Sequence, residues 1–108
     1  MPGWILMIVL SGASLMTSGS AASAEYPQRP VRMIAPISPG GGADIAARLL
    51  ARSMSETLGQ QVIVDNRPGG GNVPGTAVAA NATPDGYTVL WISGAHAINA
   101  AVRKSLPY

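Results

Sequence analysis

From residue 25 onward the apolar positions follow two alternating periods. Residues 31–36 (VRMIAP) are a short, mostly apolar, partly β-branched run between Pro30 and the Pro39-Gly40-Gly41-Gly42 loop, as expected of a strand buried in a parallel sheet. The spacing then becomes helical. Over residues 41–58, Ala43, Ala46, Ala47, Leu50, Met54 and Leu58 share one predicted face, while Asp44, Arg48, Arg52 and Glu56 recur every fourth residue on the other. Asp44 and Arg48 form an i,i+4 pair with the acid first, Arg52 and Glu56 pair in the less favourable order, and Gly59 supplies a stop.

Residues 61–64 (QVIV) predict a second strand, and residues 66–72 (NRPGGGN) a loop that no regular element tolerates. A short Ala/Val helix is expected over 74–82, with Pro74 in the first turn, where its missing N–H would be unpaired anyway. Thr83-Pro84-Asp85-Gly86 is a turn leading into a third strand, 87–92 (YTVLWI), and Ser93-Gly94 opens a last helix through His96 and Asn99. Strands alternating with helices, with no hairpin signal, predict the α/β class: a βαβαβ unit with a parallel sheet and right-handed crossovers.

The first 24 residues carry no charged side chain. Residues 4–10 (WILMIVL) are an unbroken apolar run, followed by small residues ending in Ala22-Ser23-Ala24, the small-x-small pattern of a signal-peptidase site. Residues 1–24 are therefore expected to be a signal peptide cleaved after Ala24, although Met1-Pro2-Gly3 lacks the usual basic residue. Even residues 4–16 are too short for a membrane span, which takes about 20 apolar residues. The remainder, residues 25–108, is small for a core without staples or a partner.

Composition narrows the function. Charged residues make up 11% of the chain and apolar residues 47%; the first is less than half the roughly 25% usual for soluble domains and the second is typical, so a disordered tail is excluded. The net charge of +2 comes from scattered single residues, so no basic patch marks a nucleic-acid or membrane-surface binder. With no cysteine and only His96, the chain offers neither a thiol nucleophile nor a Cys or multi-His metal centre. No cofactor is expected.

Ligands of open α/β sheets bind outside the carboxyl ends of the strands, where residues 38–42, 66–72 and 93–96 fall. The glycine loop opens into a helix whose first N–H groups lack partners and can hold a carboxylate or phosphate; it can equally be a tight turn and no more. No Gly-Lys-Ser/Thr follows it, and Ile45 stands where a dinucleotide loop needs a third glycine. Asp44 either caps its own helix or meets a ligand hydroxyl, amine or water. Arg67 can grip a carboxylate or pair with Asp65. His96 can donate to an anion, but neither Ser38 nor Ser93 has a visible base-and-orienter set, so no catalytic residue is assigned. Thr76, Ser93 and Asn99 can line a pocket or cap helices.

Tyr26-Pro27-x-x-Pro30-Val31-Arg32, Pro36-x-x-Pro39-Gly40-Gly41-x-x-Asp44-Ile45-x-Ala47-Arg48, Asn66-Arg67-Pro68-Gly69, Pro84-Asp85-Gly86-Tyr87-Thr88 and Ser93-Gly94-Ala95-His96-Ala97-Ile98-Asn99 occur in that order, with Leu106-Pro107-Tyr108 at the close. This series resembles the extracytoplasmic substrate-binding receptors of tripartite tricarboxylate transporters, also called Bug proteins. The resemblance covers nearly all of residues 25–108.

It implies a periplasmic binding protein, type II-like, of two α/β lobes around a cleft. Such a receptor captures a small organic carboxylate, hands it to membrane permease subunits and is not an enzyme. Carried over by motif, Ser38, Gly40, Gly41, Asp44, Thr76, Ser93, His96 and Asn99 lie at or near the ligand. Ile37 and Ser38 replace an aromatic residue and a proline common in the family, and Ala77 and Pro74 also depart from its pattern. Family members continue past the position of Tyr108. Residues 25–108 are therefore expected to be the amino-terminal part of lobe 1, without the second lobe, and to bind ligand weakly or not at all in isolation. The alternatives are a non-functional remnant of such a receptor or an exported α/β enzyme.

Overall fold

The computed structural model describes residues 24–108, so the leader assignment and its cleavage point fall outside the described residues except for Ala24 itself. The chain order is β1 (Val31–Ala35), α1 (Gly42–Leu58), β2 (Val62–Asn66), a 3₁₀ turn (Gly70–Asn72), α2 (Val73–Ala80), β3 (Thr88–Leu90) and α3 (Gly94–Val102). The strands form one sheet in the order β2-β1-β3, and both pairings are parallel. The expected α/β class and βαβαβ order are therefore present.

The central position of β1 explains its composition. Val31, Met33, Ile34 and Ala35 are all buried, because neighbours flank the strand on both edges and helices lie on the sheet. Val31 and Met33 join Val62, Ala47 and Ala51 in a core cluster, with Met54, Leu58, Val64, Tyr87, Val89 and Trp91 packed around it. At about 1.5–3 kcal/mol for each fully buried large apolar side chain, this cluster is the main stabilising term. On the opposite pleat, Gly75 of α2 lies so close to β1 that a Cβ there would stand 2.8 Å from both Pro36 Cβ and the Arg67 carbonyl oxygen.

The buried stripe of α1 differs from the expected one. Ala43, Ala46 and Leu50 are exposed, Leu50 by 42%, and the inward positions are Asp44, Ala47, Ala51, Met54 and Leu58. The rotation follows from two facts. Ala47 and Ala51 are small enough to let the helix approach the sheet, and Asp44 finds hydrogen-bond partners inside that offset its desolvation. Gly59, at φ 69°, ends the helix by donating its N–H to the Ser55 carbonyl, as a left-handed cap does. Ser55 Oγ accepts the Val62 N–H at 2.8 Å, fastening the helix end to β2.

β3 is shorter than the expected 87–92, but the Arg32 N–H donates to the Tyr87 carbonyl and the Trp91 N–H to the Ile34 carbonyl, extending the contact beyond both ends. The 66–72 loop contains a short irregular turn, Gly70–Asn72, in which Gly70 and Gly71 take left-handed φ of 56° and 64°. At the amino edge of the sheet, the Tyr26 hydroxyl donates to the Gly86 carbonyl, the Gln28 N–H donates to Tyr87 Oη at 2.9 Å, and Arg29 pairs with Asp85 at 2.9 Å. Arg29 also lies 4.0 Å from the Tyr87 ring centre. Among the described residues no helix is long and apolar enough to cross a membrane.

Candidate functional site

The three segments singled out in the sequence leave the carboxyl ends of β1, β2 and β3. In the first, Gly40 adopts φ +91°, a conformation that favours glycine. Gly41 has φ −80°, and a Cβ at either Gly41 or Gly42 would meet nothing within 4 Å. Neither the backbone angle at Gly41 nor packing within the chain calls for glycine there. The first N–H of the helix to reach a backbone carbonyl is that of Ile45, bonded to Gly41, so the preceding N–H groups remain available to a ligand.

Asp44 lies directly behind this loop and is only 3% exposed. Its Oδ2 accepts the Gly40 N–H at 2.9 Å and Arg48 Nε at 2.9 Å, and its Oδ1 accepts Asn66 Nδ2 at 2.9 Å. The Gly40 N–H above all, then Arg48, then Asn66, hold the carboxyl at a pKa of about 2 against an ordinary 3.8. Asn66, from the end of β2, also donates Nδ2 to the Ile37 carbonyl at 3.2 Å and accepts Arg48 Nη2 at 2.9 Å. The Asp44–Arg48 pair was legible from spacing. Asn66 was not singled out, and its signal was its place opening the Asn66-Arg67-Pro68-Gly69 motif at a strand end.

The second segment turns through positive φ at Gly69, Gly70, Gly71 and Asn72 in succession. Arg67 is paired with Asp65 at 3.0 Å, one of the two roles open to it from sequence, and Arg32 of β1 bonds the same carboxylate. Arg67 first and Arg32 second lower the Asp65 pKa. Thr76 is 3% exposed, and its hydroxyl donates at 2.8 Å to the carbonyl of Asn72, the residue that precedes α2.

In the third segment, Ser93 begins α3 without a side-chain capping bond. Asn99 is 7% exposed; its Nδ2 donates to the Gly71 carbonyl at 2.6 Å and its Oδ1 accepts Arg103 Nε at 3.3 Å. His96 stacks on Tyr108, with ring centres 5.6 Å apart and planes 16° from parallel. Its Nδ1 is buried and has no hydrogen-bond partner among the described residues. A cavity of about 10 Å³, the space of one water molecule, lies where the three segments meet and is lined by Pro36, Ile37, Asn72, Thr76, Trp91, Ile92, Ser93 and His96. Larger grooves of about 500 and 400 Å³ lie between α1 and β2 and across β1 and β2, and touch none of the eight residues expected at the ligand.

The structure thus brings Thr76, Ser93 and His96 to one cavity, and ties Gly40 and Asp44 to its wall through Asn66 and Ile37. Asn99 lies one layer away, against Gly71. Ser38 and Gly41 are exposed on the first loop. Among the described residues no cluster of three or more His, Cys, Asp or Glu could hold a metal ion.

The sequence profile described as tripartite tricarboxylate transporter family receptor matches residues 46–108. The chain belongs to that receptor family. Protein BugT of Bordetella pertussis is 43% identical over 107 residues, covering 94% of this chain and 33% of BugT. Among solved structures, MatC of Rhodopseudomonas palustris with bound malate is 34% identical with a TM-score of 0.70, over 77% of this chain and 29% of that one. A second R. palustris protein, solved with adipate, is 36% identical with a TM-score of 0.70, over 78% of this chain and 28% of that one. The chain spans about a third of the length of BugT. The family and fold expected from the motif series are therefore shown.

Proposed function

We propose that the protein contributes one wall of a periplasmic receptor site for a small organic carboxylate, reaching the periplasm by cleavage of residues 1–24 and passing its ligand to the permease subunits of a tripartite transporter. Its work is binding, with no bond made or broken. The observation that carries this reading is the set of polar groups left without partners at the carboxyl edge. Among the described residues, N–H groups at the start of α1 have no acceptor, and the buried Nδ1 of His96, a residue lining the small cavity between the loops, has no partner. Backbone N–H groups at a helix start suit an anion. Malate and adipate, held by two structural relatives, are both dicarboxylates.

Within the eight expected residues the roles divide. Ser38, Gly41, Ser93 and His96 face the ligand. Gly40, Asp44, Thr76 and Asn99 have polar groups already engaged within the chain, and they shape the wall from behind. The opposing wall belongs to the sequence that longer relatives carry beyond the matched third.

Titrating the isotopically labelled chain with malate and with adipate tests this. Saturable shifts are expected at the amides of Gly41, Gly42 and Ser93, with Kd on the order of 1 mM, since one wall supplies few contacts. A neutral diol of the same length should give none. Equal shifts from the diol, or shifts confined to residues away from Gly41, Gly42 and Ser93, would remove the carboxylate assignment. Micromolar binding by residues 25–108 would overturn the reading that a second wall is required.

A further inference from the structure

Asp44 looks from sequence like a ligand group in the first helical turn, but both of its oxygens are occupied from inside the chain. One accepts from Gly40 and Arg48, the other from Asn66. Asn66 is engaged in turn by Ile37 and Arg48. These bonds close a ring running from the end of β1, through the glycine loop and the first turn of α1, to the end of β2. Exposure agrees, since Asp44 is 3% exposed while Gly40, Gly41 and Gly42 are open to solvent.

We propose that Asp44 is a positioning residue, a latch that with Asn66 and Arg48 fixes the Gly40–Gly42 loop so that the N–H groups beyond Gly40 point outward. The proposal rests on reading that loop as part of the carboxylate site. It explains two features that simple helix capping leaves unconnected. An N-cap acid accepts an N–H two or three positions later, and an acid at the third helical position can reach back to the N-cap residue, whereas Asp44, third in α1, reaches one residue further, to the Gly40 N–H ahead of the N-cap Gly41. The carboxylate is also doubly braced by an arginine on its own helix and an amide on a neighbouring strand, which holds the loop against both the helix and the sheet. A buried carboxylate directly behind an anion site is unfavourable by charge alone; Arg48, hydrogen-bonded to both Asp44 and Asn66, offsets it locally. Arg48 is the charged group that faces Asp44 from α1, while β2 presents the neutral Asn66 and the loop presents backbone.

The test reads the loop in the full chain without ligand. In Asp44→Asn, which keeps the shape, the Gly40 amide should exchange with solvent on the order of tenfold faster, because a charge-assisted bond becomes a weaker or opposed one. Met33 and Ile34 amides in β1 should keep their wild-type rates. In the parent chain the Gly40 proton shift should follow the titration of the Asp44 carboxyl; in Asp44→Asn that titration should vanish. Asn66→Ala, which leaves the charge in place, should loosen Gly40 by a smaller factor. Unchanged Gly40 exchange in Asp44→Asn would overturn the latch. So would equal acceleration at Gly40 and in β1, which reports general unfolding instead. With malate added, a shift of the Asp44 carboxyl carbon as large as those at Gly41 and Gly42 would make Asp44 a ligand contact and overturn the proposal. If the neutral diol moved the loop amides as far as malate did while the ligand-free results held, the carboxylate reading would fail and the latch would stand.

Discussion

The two ends of the sheet handle their polar groups in opposite ways. At the amino edge Tyr26, Gln28, Arg29, Asp85, Gly86 and Tyr87 bond to one another, and the two tyrosine rings meet edge to face at 5.1 Å. At the carboxyl edge, Asp44, Asn66 and Asn99 brace the loops from behind, while helix-start N–H groups and His96 Nδ1 have no partner among the described residues. Family motifs lie at both ends, so a motif alone does not mark a ligand site. What separates them is whether the polar groups are satisfied by the chain.

Glycine substitution gives the largest test of that contrast. Gly75 belongs to the carboxyl half of the molecule but is structural, because its missing Cβ admits Pro36 and the Arg67 carbonyl. Gly75→Ala should cost about 3 kcal/mol through overpacking, a large share of the roughly 5–15 kcal/mol that holds a domain folded. Urea denaturation followed by far-UV circular dichroism reads this directly. A loss below about 0.5 kcal/mol would show that α2 can withdraw from β1 without penalty.

Next in size is Asn99→Ala, which strips the Gly71 carbonyl of its donor and Arg103 of its partner. We expect a loss of about 1–2 kcal/mol with a weaker malate response, since the second loop loses its brace. Undiminished stability with abolished binding would instead make Asn99 a ligand contact. At the other edge, Tyr87→Phe removes the acceptor of the Gln28 N–H and should cost about 1 kcal/mol, leaving the malate shifts unchanged.

Much of this architecture was legible in the sequence. The strand-helix alternation, the stop at Gly59 and the Asp44–Arg48 pair follow from local spacing and chemistry, and pairing with Asp65 was one of the two roles open to Arg67. The rotation of α1 was not, because a buried aspartate contradicts any hydrophobic count; it becomes tolerable only through Asn66, 22 positions away. The same holds for Asn99 and Gly71, 28 positions apart. Spacing reports neighbours along one element, whereas the site is built from side chains meeting across three.

Acid separates the edges further. Asp44 has a folded pKa of about 2 against 3.8, so it binds fewer protons folded than unfolded between those values. Its stabilising contribution is complete above about pH 4 and is lost as pH falls through about 2. Asp65, lowered by Arg67 and Arg32, adds in the same direction. Stability measured from pH 6 to pH 2 should therefore fall toward acid, and the slope should flatten in Asp44→Asn. An unaltered slope in that variant would place the acid sensitivity elsewhere.

The smallest expected change in stability is the most informative about function. Gly41 has an ordinary φ of −80° and open space where a Cβ would stand, so Gly41→Ala should alter stability by less than about 0.5 kcal/mol. If the loop admits a carboxylate to its backbone, the added methyl stands between ligand and N–H groups, and the malate-induced shifts at Gly42 and Ser93 should shrink several-fold. A destabilised Gly41→Ala protein would mean that the glycine serves the turn, as Gly75 serves packing. Unchanged stability with unchanged malate shifts would mean that the ligand approaches from another side, and the contrast between the two edges would then rest on His96 alone.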